Sequence, residues 1–412
     1  MDVRRQALAI LAFCLVMNMV SRGVGESFAI FLLPMAGEFG TDRAALTGIY
    51  SAYMLCLGGM SPLAGIAVDR FGPRACYGAG LAVFGAAYLL AGFAGQLWQL
   101  YLLLGLGGAV GTAMIGLVPA SALASRWFRS RLPTVMGLLS AALGIGMLLC
   151  APLAQALIDA LGWRGAYQAL GAALLLALVP VWMLPWAKMA AGSPALAAAR
   201  ARSAAAGADG WTVRRAVRTS MFWALAGVMF FTSASTMTII VQLVACLVEA
   251  GFSPLVAASV FGVVGMASIV GMVAAGVFAE RIGERRFATI SYSSSIAGVG
   301  VLALLGHTPS PLLLGAFVLL FGTMQGSRGP LVAVLSVRSF AGRRQSAIYG
   351  TVLLGMGAGG ALGAWAAGAL FDLTGGYLAG YLLSAVSAAC GLLLFHTVPA
   401  LSGAGRSPVA PA

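Results

Sequence analysis

Three ionisable side chains, Arg22, Glu26 and Arg328, fall deep inside long apolar stretches of a 412-residue chain. A charge at the centre of a bilayer costs about 2.5–3.5 kcal/mol on insertion scales, so such a residue normally faces a wet cavity or a partner. Arg22 and Glu26 are four residues apart, which puts them on one helix face within pairing distance. Asn18 and Gly25 share that stripe, and Gln325 stands one turn before Arg328. A guanidinium is a planar fork whose paired donors match a carboxylate. The three charges sum to one positive. The set points to a small organic anion held by Arg22 and Arg328, with Asn18 and Gln325 beside them. Glu26, neutralised by a proton, would free Arg22 for that anion, which makes it the expected proton carrier. A structural alternative stays open: a permanent Arg22–Glu26 pair, with Arg328 snorkelling toward the interface. Tyr53, Tyr349 and Gln242 extend the candidate binding set; Gln242 shares a helix face with Ser235 and Thr238.

The elements that carry these residues follow from composition. The chain is 61% hydrophobic and only 8% charged, against roughly 25% charged in a soluble domain. So few charges cannot cover a water-soluble surface of this size, and lipid must solvate most of it. Crossing a hydrocarbon core takes about 20 apolar residues in a helix. The absence of period-two alternation excludes a barrel. Apolar segments fall at roughly 6–34, 44–67, 75–95, 98–124, 132–158, 164–185, 219–248, 254–279, 287–306, 311–336, 345–371 and 376–398. Twelve transmembrane helices are expected. Arg4 and Arg5 precede an apolar run that reaches Met35 without a small-residue cleavage site, so that run reads as an uncleaved first helix. Trp98, Trp163 and Trp186, near span ends, read as interfacial anchors.

One connection is long, from about Trp186 to Thr219, with Lys188, Arg200, Arg202, Arg214, Arg215 and Arg218 in an Ala/Gly/Ser background. It reads as a cytoplasmic linker, residues 187–218, between six-helix bundles at 1–186 and 219–412. Basic residues favour cytoplasmic loops. With the N-terminus inside, Arg43 and Arg164 fall outside, Arg22 and Arg328 fall within spans, and every other Lys and Arg lies on the cytoplasmic side. Both termini are therefore expected in the cytoplasm. This sidedness accounts for the net charge of +13 without a nucleic-acid partner, because no clustered basic face exists. The six cysteines are far apart, with no CxxC pair, so neither a disulfide framework nor a zinc site is indicated. No nucleophile–base constellation, P-loop or metal-ligand cluster appears, and no enzyme activity, cofactor or metal is expected.

The two halves repeat. Gly65-Ile66-Ala67-Val68-Asp69-Arg70-Phe71-Gly72-Pro73-Arg74 and Gly276-Val277-Phe278-Ala279-Glu280-Arg281-Ile282-Gly283-Glu284-Arg285 both read G-x-x-x-[DE]-R-x-G-x-R, 211 residues apart. Glu38 and Gly40 match Glu249 and Gly251 at the same offset. Phe128 and Arg131 match Phe340 and Arg343 at 212, and Asp159 before Gly162 matches Asp372 before Gly375 at 213. Collinear matches of this kind argue for a duplicated six-helix unit, a known transporter plan.

The paired loop motif resembles the signature of the major facilitator superfamily, and the resemblance covers essentially the whole chain. It implies an all-α fold of two pseudo-symmetric six-helix bundles around a cavity lined by helices one, four, seven and ten, with alternating access by rocking. It also implies that Asp69 faces the start of helix eleven and Glu280 the start of helix five, with Gly65, Arg70, Gly72, Arg74, Gly276, Arg281, Gly283 and Arg285 completing a cytoplasmic gate. The stretch Arg126-Trp127-Phe128-Arg129-Ser130-Arg131-Leu132-Pro133 before a Gly-rich helix, and Asp159-Ala160-Leu161-Gly162-Trp163-Arg164 after it, are similar to monocarboxylate-transporter-like proteins. That group usually carries a basic residue where this chain has Glu26, and an arginine in helix eight, where Val256 to Ala279 holds no charge.

The expected function is thus secondary transport of a small organic anion, a monocarboxylate, coupled to protons, by a monomer in the inner membrane. Export of an amphipathic compound by proton antiport is the alternative. Alkaline phosphatase, active only outside the cytoplasm, should be active when fused after Gly40 and inactive when fused within residues 192–210; the reverse pattern would overturn the orientation.

Overall fold

The computed structural model describes residues 3–128, 132–191, 211–340, 345–398 and 401. Among them, eleven helices are long and apolar enough to cross a membrane. The first four are Arg5–Phe39 (α1), Arg43–Val68 (α2), Arg70–Ala91 (α3) and Leu97–Ala124 (α4). Next comes Val135–Met183, 49 residues long, more than twice the length that a hydrocarbon core requires. It leaves helical geometry at Gly162, φ 71°, and so comprises two spans, α5 (135–161) and α6 (163–183). The remainder are Ser220–Glu249 (α7), Pro254–Ala275 (α8), Glu284–Leu305 (α9), Pro311–Ser336 (α10), Ile348–Thr374 (α11) and Leu378–Thr397 (α12). The twelve apolar segments of the sequence become twelve helical spans. The central part of the expected linker, residues 192–210, lies outside the described residues.

The internal repeat has a backbone counterpart. Among the described residues, positive φ occurs at Gly40 and Gly251, Gly72 and Gly283, and Gly162 and Gly375. These are three repeat-related pairs, each where the chain leaves one span for the next. An L side chain is disfavoured in this conformation, so the turns at these three places need glycine twice over. The repeat extends to side chains: the Arg74 guanidinium lies 4.5 Å over the Trp182 ring, and its counterpart Arg285 donates to His396 Nδ1 at 3.0 Å. In both halves a basic residue at the start of one helix meets a ring on the last helix of that half.

Lipid tails are as apolar as leucine, so helices associate through close packing and polar bonds. Glycines supply the close packing. A Cβ at Gly146 of α5 would collide with the Met19 carbonyl of α1, and one at Gly359 of α11 with the Phe230 carbonyl of α7. These positions are repeat equivalents. The first six spans meet the last six where α2 packs on α11 and α5 on α8. Ser51 Oγ of α2 donates to the Ala361 carbonyl of α11 at 2.7 Å.

Spans α1, α4, α7 and α10 are each interrupted: at Ser27, at Gly116, at Val241–Gln242 and at Gly326–Ser327. Gly116 and Ser327 are 211 residues apart. A π-helical stretch precedes the break in α4 (Tyr101–Gly108) and in α10 (Val318–Gly322). Such stretches often mark functional positions. A single turn residue, Ala177, also interrupts α6. Of the three tryptophans expected at the interface, Trp98 is 60% exposed, but Trp163 and Trp186 are 5% exposed. Their indole N–H groups donate to Glu38 and to the Val181 carbonyl, so they are packed inside the bundle rather than anchored in lipid headgroups.

At the end of the bundle remote from the N-terminus, Asp372 of α11 accepts from the Arg43 and Ala44 backbone N–H groups at 3.0 and 2.7 Å, capping α2 across the interface between halves. Arg43 also reaches Glu249, Gln242 and Tyr377, and its guanidinium lies 3.7 Å over the Phe371 ring. Asp159, the repeat equivalent, accepts only from Gln155 one turn back among the described residues. Losing a helix cap costs about 1 kcal/mol. Asp372→Ala should therefore lower thermal stability in detergent, and Asp159→Ala should do so distinctly less; equal effects would remove the cap's role in joining the halves.

Candidate substrate and proton site

The break in α1 places the charged pair. Ser27 turns its hydroxyl onto the Val24 carbonyl at 2.7 Å, and the helix resumes at Phe28. Arg22 and Glu26 lie in the last turns before it. Arg22 Nη2 stands 3.0 Å from Glu26 Oε1; the side chains are 20% and 3% exposed. The approach has ion-pair distance without hydrogen-bond alignment, because Oε1 accepts no hydrogen bond. Oε2 accepts from the Tyr50 hydroxyl of α2. The Tyr53 hydroxyl donates to Thr112 Oγ1 of α4 at 3.2 Å, and Tyr88 of α3 donates to the Val24 carbonyl at 3.2 Å. A Cβ at Gly25 would collide with the Tyr53 hydroxyl, so the glycine on the charged stripe is what admits that tyrosine.

Arg328 follows the break in α10, where Ser327 Oγ donates to the Met324 carbonyl at 2.7 Å, just as Ser27 does in α1. Its guanidinium turns to α9. It donates to Ser291 Oγ at 3.2 Å, to the Ser291 carbonyl at 3.0 Å and to Ser295 Oγ, and lies 4.0 Å over the Tyr292 ring. Arg328 is 1% exposed, and among the described residues no carboxylate pairs with it. Hydroxyls, a carbonyl and a ring face hold the cation but leave its charge uncompensated. It is buried between helices rather than extended to an interface.

The other expected binding residues are spread over several places. Asn18 is 2% exposed and its amide donates to the Cys14 carbonyl of its own helix at 2.9 Å. Gln325 donates to the Val264 carbonyl of α8 at 3.4 Å. Gln242, in the break of α7, accepts from Arg43 at 3.2 Å and so belongs to the outer network. Tyr349 packs against the apolar core of the last six spans. No described hydrogen bond or ion pair joins Arg22 to Arg328.

Of the expected gate, the side chains of Asp69, Gly276 and Glu280 lie outside the described residues. Gly65 faces Val118 of α4, which a Cβ would approach to 3.6 Å. Arg70 and Arg281 are exposed, Arg70 lying 5.5 Å over the neighbouring Phe71 ring. Gly72 and Gly283 make the turns, and Arg74 and Arg285 the ring contacts, described above. Tyr50 and Arg43 were not singled out by sequence. Tyr50 lies one turn from Tyr53 on the same face of α2, the one signal that could have flagged it.

A profile of the Major Facilitator Superfamily matches residues 11–339. The chain belongs to the major facilitator superfamily. It is 29% identical to Monocarboxylate transporter 13 of Bos taurus over 378 residues, covering 92% of this chain and 85% of that one. It is 30% identical to Monocarboxylate transporter 11 of Homo sapiens over 393 residues, 93% and 80% of the two chains. An uncharacterized MFS-type transporter of Bacillus subtilis is 26% identical over 382 residues, 90% and 89%. The crystal structure of a bacterial homologue of the human lysosomal transporter Spinster, inward-facing and unoccupied, superposes with a TM-score of 0.69 at 14% identity, over 96% of this chain and 95% of that one. This facilitator is accordingly a multi-pass membrane transporter and not an enzyme.

Overpacking at a close contact costs about 1–3 kcal/mol. Gly25→Ala should lower the melting temperature, and Tyr53→Phe in that background should restore part of the loss by removing the colliding oxygen; no restoration would place the strain elsewhere.

Proposed function

We propose that this facilitator carries a small organic anion, of the monocarboxylate class, together with a proton across the inner membrane by alternating access, with both termini in the cytoplasm. The observation that carries the reading is the Arg22–Glu26 pair at the break of α1, its carboxylate buried and its arginine partly open, combined with a second arginine, Arg328, that is buried and that no described carboxylate neutralises. Discontinuous spans are where facilitated substrates and coupling ions bind in many transporters. Arg22 is the more open of the two arginines and takes the carboxylate directly once Glu26 is protonated. Arg328 adds positive potential from α10; contact with the anion requires it to leave Ser291 and Ser295. An arginine on each half lets one anion lower the cost of bringing the halves together. The named relatives are monocarboxylate transporters, which supports the substrate class. The 1–186 and 219–412 bundles are the bodies that move, and the Asp69 and Glu280 loops close the cytoplasmic side.

Proteoliposomes holding the full chain test this with labelled lactate and pyruvate under an inward proton gradient. Uptake should exceed that without a gradient, and Arg22→Ala and Arg328→Ala should each lower it by about tenfold or more, the loss of one charged hydrogen-bonding partner. Glu26→Gln should abolish gradient-driven accumulation while leaving exchange of internal for external anion. Full activity of Arg328→Ala would remove that residue from the site, and substrate-driven proton movement in the opposite direction would establish antiport export instead.

A further inference from the structure

We propose that Tyr50 is a positioning residue for coupling: its hydroxyl senses the charge on Glu26 and passes the change to α7 through Met237. The inference rests on the reading of Glu26 as the proton carrier and adds to it the route by which protonation reaches the other half of the molecule.

Three observations place Tyr50 in that role. It is 2% exposed, and its hydroxyl donates to Glu26 Oε2. The same hydroxyl lies 3.6 Å from Met237 Sδ of α7, so one hydrogen serves two acceptors, one in each half. Its ring is fixed by packing, with centroids 5.7 Å from Phe28 and 5.5 Å from Tyr53, so the hydroxyl can change partner without the side chain moving far. Among the described residues, Glu26 faces Arg22 on its own helix, Tyr50 and Tyr53 from α2 and Tyr88 from α3, while Thr112 of α4 accepts from Tyr53 and Cys150 of α5 lies against Gly23. From α7 the neighbour is the uncharged Met237.

The oxygens of Glu26 have different work. Oε2 is taken by Tyr50, whereas Oε1 lies 3.0 Å from Arg22 Nη2 and accepts no hydrogen bond among the described residues, so a proton added at Oε1 takes the place of Arg22. A proton from hydronium forms one O–H bond at Oε1 as the donor's O–H bond breaks, and on release the Oε1–H bond breaks as water takes the proton back. A hydrogen bond to an ionised acceptor is about twice as strong as one to a neutral acceptor. Protonation therefore weakens the grip of Oε2 on Tyr50 at the moment that Arg22 is freed, and the hydroxyl shifts toward Met237. The interface between α2 and α7 changes with the proton, before any substrate arrives.

Purified full-length protein tests this without a known substrate. Infrared difference spectra on acidification, wild type minus Glu26→Gln, isolate the protonated Glu26 carboxyl band, and hydrogen exchange of peptides from α7 reads the response of the other half. In Tyr50→Phe, which keeps the ring packing, the band should persist but move to higher wavenumber, because Oε2 has lost its donor, and the α7 response should disappear. A band and an α7 response identical to wild type would overturn the role of Tyr50 while leaving Glu26 as carrier. Absence of any Glu26 band in wild type would overturn the carrier reading itself. Should Tyr50→Phe fail to fold, Met237→Leu should keep the band at its wild-type position and lose the α7 response; an intact response overturns the route.

Discussion

A buried carboxylate paired with a partly buried arginine just before a break in α1 imposes the main constraint on this molecule. Each charge alone would be costly in a bilayer, and even a buried pair repays its desolvation only when further hydrogen bonds support it. Helices α2, α3 and α4 each send a polar side chain to that turn: Tyr50 to Glu26, Tyr88 to the Val24 carbonyl, and Thr112 to Tyr53. Gly25 clears the room for Tyr53, and Gly146 of α5 lets α1 settle close enough for the turn to be enclosed. The packing of the first six spans is thus arranged around one pair. Arg328 poses the same problem with no acid beside it among the described residues, answered by serines and an aromatic face.

The duplication is closest in the backbone and least exact in charge. At the end remote from the N-terminus, Glu38 is paired by Arg164 of its own half at 2.7 Å. In the second half Tyr377 stands 213 residues after Arg164 and bonds the equivalent acid, Glu249, at 2.7 Å. The cation there comes instead from Arg43, across the interface. One exchange of arginine for tyrosine thus converts a contact within a half into a contact between halves. Asp372, capping α2 while Asp159 stays within its own helix, has the same consequence. The two halves share a fold, and their differences hold them together.

Much of this was legible in the sequence because it is local or repeated. The apolar runs set the spans, the repeat marked all three pairs of positive-φ glycines, and four-residue spacing was enough to pair Arg22 with Glu26. What escaped notice depends on contacts between distant helices. Arg43 reads as a charge in a loop, since its partners lie 199 to 334 residues away. The sequence reading names Tyr53 and not Tyr50, whereas helix rotation gives Tyr50 the carboxylate and Tyr53 the threonine; both lie on one face of α2 and no pattern in the chain separates them. The same applies to Arg328, whose serines on α9 are 33 and 37 residues away. Two tryptophans near span ends proved to be packed inside, because a partner for each indole N–H lay within the bundle.

The central claim is that one proton travels with one anion through Glu26, and charge movement tests it most directly. A proton and a monovalent anion moving together transfer no net charge. Proteoliposomes free of internal anion, adsorbed on a solid-supported membrane and exposed to a lactate or pyruvate jump, should give uptake without current in wild type, whereas Glu26→Gln, which retains only exchange, should give neither net uptake nor a sustained current. A wild-type current of the size expected for the anion alone, unchanged in Glu26→Gln, would contradict the account.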